Sequence, residues 1–392
     1  MTGKNLFFSA LLGLCLGGTV LTSCSDDDSD GANDATSQKE AALQKAVADY
    51  VDHTVVPTYS AMADQAIAMY ERCLTIESHF DQGTLTLEDV RSAGQAWNEA
   101  RKYWELSEAF LYGAASDYNI DPHIDSWPLD KTAMDNMLSN EKQMAQMSPE
   151  YVGSNLGYGL LGFHAVEYML FELSADGTAS HPHSLTYTKP EITYLTSVAG
   201  DLCLQCIRLE AAWAGLDNVS DRKRQMLEEA ELEPTFDYGW SMRNAGQGGS
   251  KYKSFQDAAE EIVQGCIDIA DEVGNTKIGR PAYAASDEDR NYIESPYSLT
   301  SIVDFEDNIH SIENAYFGSL EADASLSDYI RSVNPDLDTR MRTAVDNAIS
   351  AIRLIPEPFA KTATSAEAKA AAKACGTDLV DVLEEVMDQL TR

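Results

Sequence analysis

The residues able to do chemistry gather on two short stretches. In Gly162-Phe163-His164-Ala165-Val166-Glu167 an imidazole and a carboxylate stand three positions apart. Phe163, Val166 and Leu170 recur at helical spacing with no proline between them, which predicts a helix. Residues three apart on a helix share a face, with Cβ atoms roughly 5–6 Å apart. Such a pair on an apolar helix is half of a metal site or a buried charged pair. A histidine satisfied within the core is the plainer alternative.

The second stretch runs from Ala96 to Phe110 and carries Arg101, Glu105 and Glu108 at helical spacing. A solvated, salt-bridged face would account for those charges. Trp97, Trp104, Phe110 and Leu111, however, spread apolar surface around much of the same helix. Burial is therefore expected, and a buried carboxylate without a partner costs several kcal/mol. Set side by side in a bundle, the Glu105/Glu108 and His164/Glu167 pairs project inward like a carboxylate-rich metal site. Oxygen ligands with one imidazole suit iron, manganese, calcium or zinc, and composition does not choose among them. The loop from Asp121 to Asp130 offers further oxygens, Asp125 first.

Two motif readings fail on context. Gly157-x-Gly159-x-x-Gly162 has the spacing of a dinucleotide fingerprint, but no strand precedes it and no βαβ pattern follows. Glycines that allow close packing of segments explain it better. His164-x-x-Glu167 stops one residue short of the inverted zinc-protease motif, because Tyr168 stands where the second histidine is required.

The elements that must hold these residues read almost wholly as helix. Helical runs are predicted over 39–78 with a kink or break at Pro57, and over 86–112 with a start at Thr86-Leu-Glu-Asp89 and a stop at Gly113. Others cover 149–173, 192–216, 255–273, 298–320, 338–355 and 365–390, with 226–251 mixed. Loops are expected over 116–130, 176–190 and 281–295. Long helices joined by loops imply an all-α protein of helical bundles, one over 39–225 and one over 226–392. A faint echo supports duplication: 97–113 ends Glu-Ala-Phe-Leu-Tyr-Gly, and 304–318 ends Glu-Asn-Ala-Tyr-Phe-Gly.

The chain has 392 residues and a net charge of −36, which argues against nucleic acid or an anionic membrane surface as partner. Lys4 and the apolar run 6–20 read as a targeting segment too short to span a bilayer. Leu21-Thr22-Ser23-Cys24 resembles a lipoprotein processing site, so residues 1–23 are expected to leave as signal peptide and Cys24 to carry lipid. The acidic stretch that follows makes 24–38 a flexible tether. It is similar to surface-export signals, which implies an outer-membrane lipoprotein, with its periplasmic face the alternative. Of seven cysteines, five remain after Cys15 and Cys24, an odd number that argues against a full disulfide framework. Cys203-x-x-Cys206 lies in a helical run with no partner pair, so core packing is the better reading.

Four blocks in order resemble the imelysin family, also classed as M75 peptidase-like. They are Gly162-x-His164-x-x-Glu167, the run from Trp97 through Arg101, Glu105 and Glu108 to Gly113, Ile124-Asp125-x-Trp127-Pro128, and Ser295-Pro-Tyr-Ser298 continuing through Asp304 and Asn308 to Gly318. The resemblance implies two related helical bundles with the His-x-x-Glu site near their junction, and a link to iron acquisition. It maps His164, Glu167, Glu105, Glu108 and Asp125 onto metal-ligand positions. Arg101 would neutralise a carboxylate, while Trp127, Ser298, Asp304 and Asn308 would line the cleft.

Three functions follow as expectations. The first is a surface lipoprotein binding a divalent or ferric ion or an iron-bearing ligand, iron before zinc or calcium, without turnover. It would act beside outer-membrane transport proteins. The second is an M75-type metallopeptidase, whose catalytic residues would be Glu167 and His164. The third has no metal, the polar residues lining a groove for a peptide or protein.

Overall fold

Pro57 shapes the first long element. The computed structural model describes residues 28–173, 180–182 and 185–392, so the expected signal peptide and Cys24 lie outside the described residues. Helix α1 (Asp28–Tyr50) passes through a π-helical turn, Val51–Val55, into α2 (Val56–Asp81). Proline has no N–H for the carbonyl four residues back, and its ring crowds that carbonyl. The run therefore widens just ahead of Pro57 instead of breaking. Helix α1 begins at Asp28, inside the stretch 24–38 expected as a tether, of which residues 24–27 lie outside the described residues.

The chain divides into Met1–Gln38 and Lys39–Arg392, and the architecture below is that of the second unit. Thr86 and Asp89 start α3 (Leu87–Glu105) with a capping box, Asp89 N donating to Thr86 Oγ1 at 3.2 Å and Thr86 N to Asp89 Oδ2 at 2.8 Å. Where the sequence pattern predicts a helix through Tyr112, α3 ends at Glu105. Ser107 Oγ donates to the Trp104 carbonyl at 2.6 Å, taking the acceptor that Glu108 N–H would use. Glu108 rides instead on a 3₁₀ turn, Glu108–Phe110.

The helix predicted over 149–173 is also divided. Pro149–Asn155 is followed by a 3₁₀ turn at Tyr158–Leu160 and then by α4 (Gly162–Leu170). Gly162 makes that turn with φ +77°, and a Cβ there would come within 2.2 Å of the Ile124 carbonyl oxygen. Only glycine combines a left-handed backbone with so close an approach. After Leu170 the chain enters a two-stranded antiparallel hairpin, Phe171–Leu173 with Ser180–Pro182, Phe171 opposite Pro182. The Phe171 ring packs on Gly94 and against Trp97, which draws the chain off the helical path.

Helix α5 (Lys189–Ala214), capped by Thr188 and Glu191, is buried on most of its circumference. Cys203 and Cys206 lie inside it as buried free thiols, and burial pushes Cys203 up to about 12. Helix α2 packs on both α3 and α5, with α4 against α3 and α5. The second half contributes α6 (Phe255–Asp271), α7 (Ser301–Phe317), α8 (Pro335–Arg353) and α9 (Val380–Thr391). Here α6 packs on α7 and α9, and α8 on α7 and α9. Contact between α3 and α7 brings the halves together. Of the two echoing stretches, only the later is one helix up to its glycine. No described helix is long and apolar enough to cross a membrane.

Gly162→Ala should cost roughly 2–4 kcal/mol by urea denaturation, because strained backbone and a steric clash add. Gly157→Ala, where a Cβ meets nothing within 4 Å, should be close to neutral.

Candidate functional site

The end of α3 places Arg101 in the interior, 1 % exposed, so its charge must be met by protein groups. Its guanidinium lies 2.5 Å from Glu105 Oε1 and 2.7 Å from Glu294 Oε1, contacts Asp125 Oδ1, and lies 3.9 Å from Asp304 Oδ2. Lys277, at the end of the π turn Glu272–Lys277, is a second buried cation. Its Nζ lies 3.2 Å from Glu294, 3.3 Å from Glu108 and 3.6 Å from Glu105.

Asp125 reaches this cluster from a short helical turn, Ile120–Ile124. His123 on that turn pairs with Asp201 of α5 at 2.7 Å, which fixes the turn against the first bundle. Trp104 Nε1 donates to Asp125 Oδ2 at 2.7 Å. On α4, His164 faces two acids: Nδ1 lies 3.1 Å from Glu167 Oε2, and Nε2 lies 3.1 Å from Asp125 Oδ1. The second contact is at ion-pair range but off hydrogen-bond geometry, so Nε2 has no hydrogen-bond partner. Glu167 Oε1 accepts from Tyr297 N, Ser298 N and Ser298 Oγ at 3.0, 2.8 and 2.7 Å. From α7, Asn308 Nδ2 donates to Glu105 Oε2 at 2.5 Å. The Trp127 ring leans on His164, centroids 6.0 Å apart.

The expected residues thus share one neighbourhood, Cys24 apart. Glu294 and Lys277, not singled out from the sequence, stand among them. Glu294 immediately precedes Ser295-Pro-Tyr-Ser298, and an acid between Ile293 and that block was the available signal. Lys277 carries no periodic or spacing signal at all.

Acids outnumber bases here, and titration follows from that. Burial pushes Glu105 and Glu108 well above the usual carboxylate range despite Arg101 and Lys277 beside the first and Lys277 beside the second. Burial likewise raises Asp304 to about 7 against Arg101. For Asp125, burial is outweighed by Arg101 and His164, and its carboxyl is held well below the usual range. His164 is raised to about 9: burial opposes its charge, but Asp125 and Glu167 more than compensate.

Beside the cluster, Glu108, Asp121, Asp125, Trp127 and Glu272 line a cavity of about 250 Å³. Burial raises Asp121 there to about 7. A larger cavity of about 760 Å³, lined by Tyr112, Lys251, Glu260 and Glu261, shares no residue with the cluster. None of its side chains is a buried polar group without a partner. In the cluster, by contrast, Glu105 Oε1, Glu294 Oε2, Asn308 Oδ1 and His164 Nε2 are buried and lack hydrogen-bond partners. One donor atom each from Asp125, His164 and Glu294 lies within 4.8 Å of the others, as do those of Glu105, Glu108 and Asp125. Such acceptors and a free imidazole nitrogen fit a cation.

A family model described as imelysin matches residues 30–386. Iron-regulated protein A of Synechococcus elongatus is 26% identical over 360 residues, covering 91% of this chain and 88% of its own. The crystal structure of an iron-regulated protein A precursor from Parabacteroides distasonis superposes with a TM-score of 0.74 at 27% identity, covering 90% of this chain and 95% of that one. An imelysin-like protein from Psychrobacter arcticus shares the fold, with a TM-score of 0.57 at 12% identity over 90% of this chain and 92% of its own.

Arg101→Met should destabilise by about 3–5 kcal/mol, since it leaves several buried acids without their cation. Denaturation midpoints of the two proteins check this. Because His164 is raised from 6.5 to about 9, its charge stabilises the fold fully below about pH 6.5. That stability, roughly 3 kcal/mol, is lost as pH rises through about 9. The advantage of wild type over His164→Gln should shrink accordingly in urea titrations at pH 6, 8 and 10.

Proposed function

The chain belongs to the imelysin family, and from that premise we propose that it binds a metal ion or an iron-bearing ligand at the Asp125–His164–Glu294 cluster, without turnover, in iron acquisition. The observation that carries this reading is the convergence of those three donor atoms within 4.8 Å. Glu167 supports it from behind. It holds Nδ1 of His164 and leaves Nε2 toward Asp125, the arrangement by which a carboxylate orients a metal-binding imidazole. Glu105 and Glu108 extend the acidic wall, and the orphaned Oε2 of Glu294 would gain a partner. Iron stands before zinc or calcium because the similar cyanobacterial protein bears the name iron-regulated. In the proposed setting the protein is anchored to the outer membrane through lipid on Cys24, facing outward. Passage of iron across that membrane would fall to separate transport proteins.

The peptidase reading asks for a metal-bound water and a base free to take its proton. Glu167 is the natural base, but its Oε1 already accepts three hydrogen bonds and its Oε2 faces His164. That occupancy favours binding over hydrolysis.

Elemental analysis of the mature protein tests the reading. Stoichiometric iron or another transition metal is expected in wild type and none in His164→Ala/Glu167→Ala. Equal, empty results from both proteins would end it. Binding must also displace the proton on His164, so affinity should rise between pH 6 and 9 by about tenfold per pH unit for each proton released. A chelator competition measured across that range gives the slope, and a flat profile would remove His164 from the ligand set.

A further inference from the structure

Trp127 forms part of two cavity walls of opposite character. On one side lies the acidic cavity with Glu108, Asp121, Asp125 and Glu272. On the other, Trp127 joins Lys131, His164, Arg290, Ile293 and Tyr297 around about 310 Å³. No Asp or Glu lines this second cavity, although the chain carries a net charge of −36. Lys131 Nζ sits over the Tyr297 and Tyr168 rings at 4.8 and 5.0 Å. No carboxylate lies within ion-pair range of it among the described residues. Among the described residues Arg290 is paired only with Asp287, an acid 89% exposed, and such surface pairs hold weakly. Trp127 Nε1 is buried and without a hydrogen-bond partner. The cavity therefore carries two cationic donors and no carboxylate, and His164 ties it to the Asp125–His164–Glu294 cluster.

We propose that the Lys131–Arg290 cavity is an anion subsite that seats the free carboxylates of a small polycarboxylate chelator, whose metal ion is held by Asp125, His164 and Glu294. This rests on the metal-binding reading above and names the class of ligand. Three protein donors leave a hexacoordinate ion with open positions, which a chelator's oxygens fill. A guanidinium and an ammonium recognise the remaining carboxylates, the first through its planar fork. About 310 Å³ suits a molecule the size of citrate and falls at the small end of ligand pockets. An acidic cavity alone would repel an anionic chelate; a second cavity that shares Trp127 and carries Lys131 and Arg290 without a carboxylate removes that conflict.

Titration calorimetry on the mature full chain separates the two readings, using zinc chloride alone, citrate alone and ferric citrate. The double variant Lys131→Ala/Arg290→Ala removes two exposed side chains outside the metal cluster, and an unchanged melting temperature confirms its fold. Expected is a loss of at least about tenfold in ferric citrate affinity, with zinc binding within about twofold of wild type. Lys131→Glu should weaken ferric citrate further. Equal ferric citrate affinity in wild type and variant, equal losses for zinc and ferric citrate, or no binding of either citrate form to wild type would each overturn the subsite. If wild type binds citrate through Lys131 but takes up no metal, the metal reading fails and the anion subsite stands.

Discussion

A guanidinium removed from water costs several kcal/mol unless acids surround it in good geometry, and Arg101 is buried to 1 % exposure. Its partners come from far apart in sequence: Glu105 on its own helix, Asp125 from the turn after it, Glu294 and Asp304 from the second half. The α3–α7 crossing is therefore an electrostatic junction as well as an apolar one. Misplacing α3 against the second half of the chain would strand a charge in the interior. Replacing it with well-packed apolar residues would serve stability equally well.

Charge in this cluster is unbalanced. Arg101 and Lys277 do not neutralise Glu105, Glu108, Asp125, Glu294 and Asp304 together, so the surplus is met by protons: burial raises Glu105, Glu108 and Asp304. A site that holds protons on several carboxylates can exchange them for a cation of higher charge. Asp125 departs from the pattern. Arg101 and His164 keep it ionised, which leaves a permanent anionic oxygen beside the imidazole nitrogen that lacks a hydrogen-bond partner.

Much of this was legible in the residues. The capping signals at Thr86, the apolar spacing around His164 and the aromatic circumference of α3 led to the elements that hold Arg101, Glu105, His164 and Glu167, which the structure places around Asp125. The failures have local causes. Ser107 takes the Trp104 carbonyl and ends α3 early, while Gly162 needs a left-handed backbone against Ile124 and splits the central helix. Periodicity is blind to both, because hydrophobic spacing continues across the interruption. Glu294 and Lys277 were hidden for a different reason. Each lies outside a long helix, and its role exists only through contacts with α3, 193 positions away in the case of Arg101 and Glu294.

The early end of α3 also explains how one short segment serves two purposes. Had the helix continued, Glu108 would share a face with Glu105 and both would crowd Arg101. The 3₁₀ turn instead carries Glu108 to Lys277 and to the wall of the acidic cavity. Trp127 lines both that cavity and the one carrying Lys131 and Arg290, and its ring stays against His164. Two cavities of opposite charge thus share one aromatic ring, and the imidazole against that ring lines the one without carboxylates.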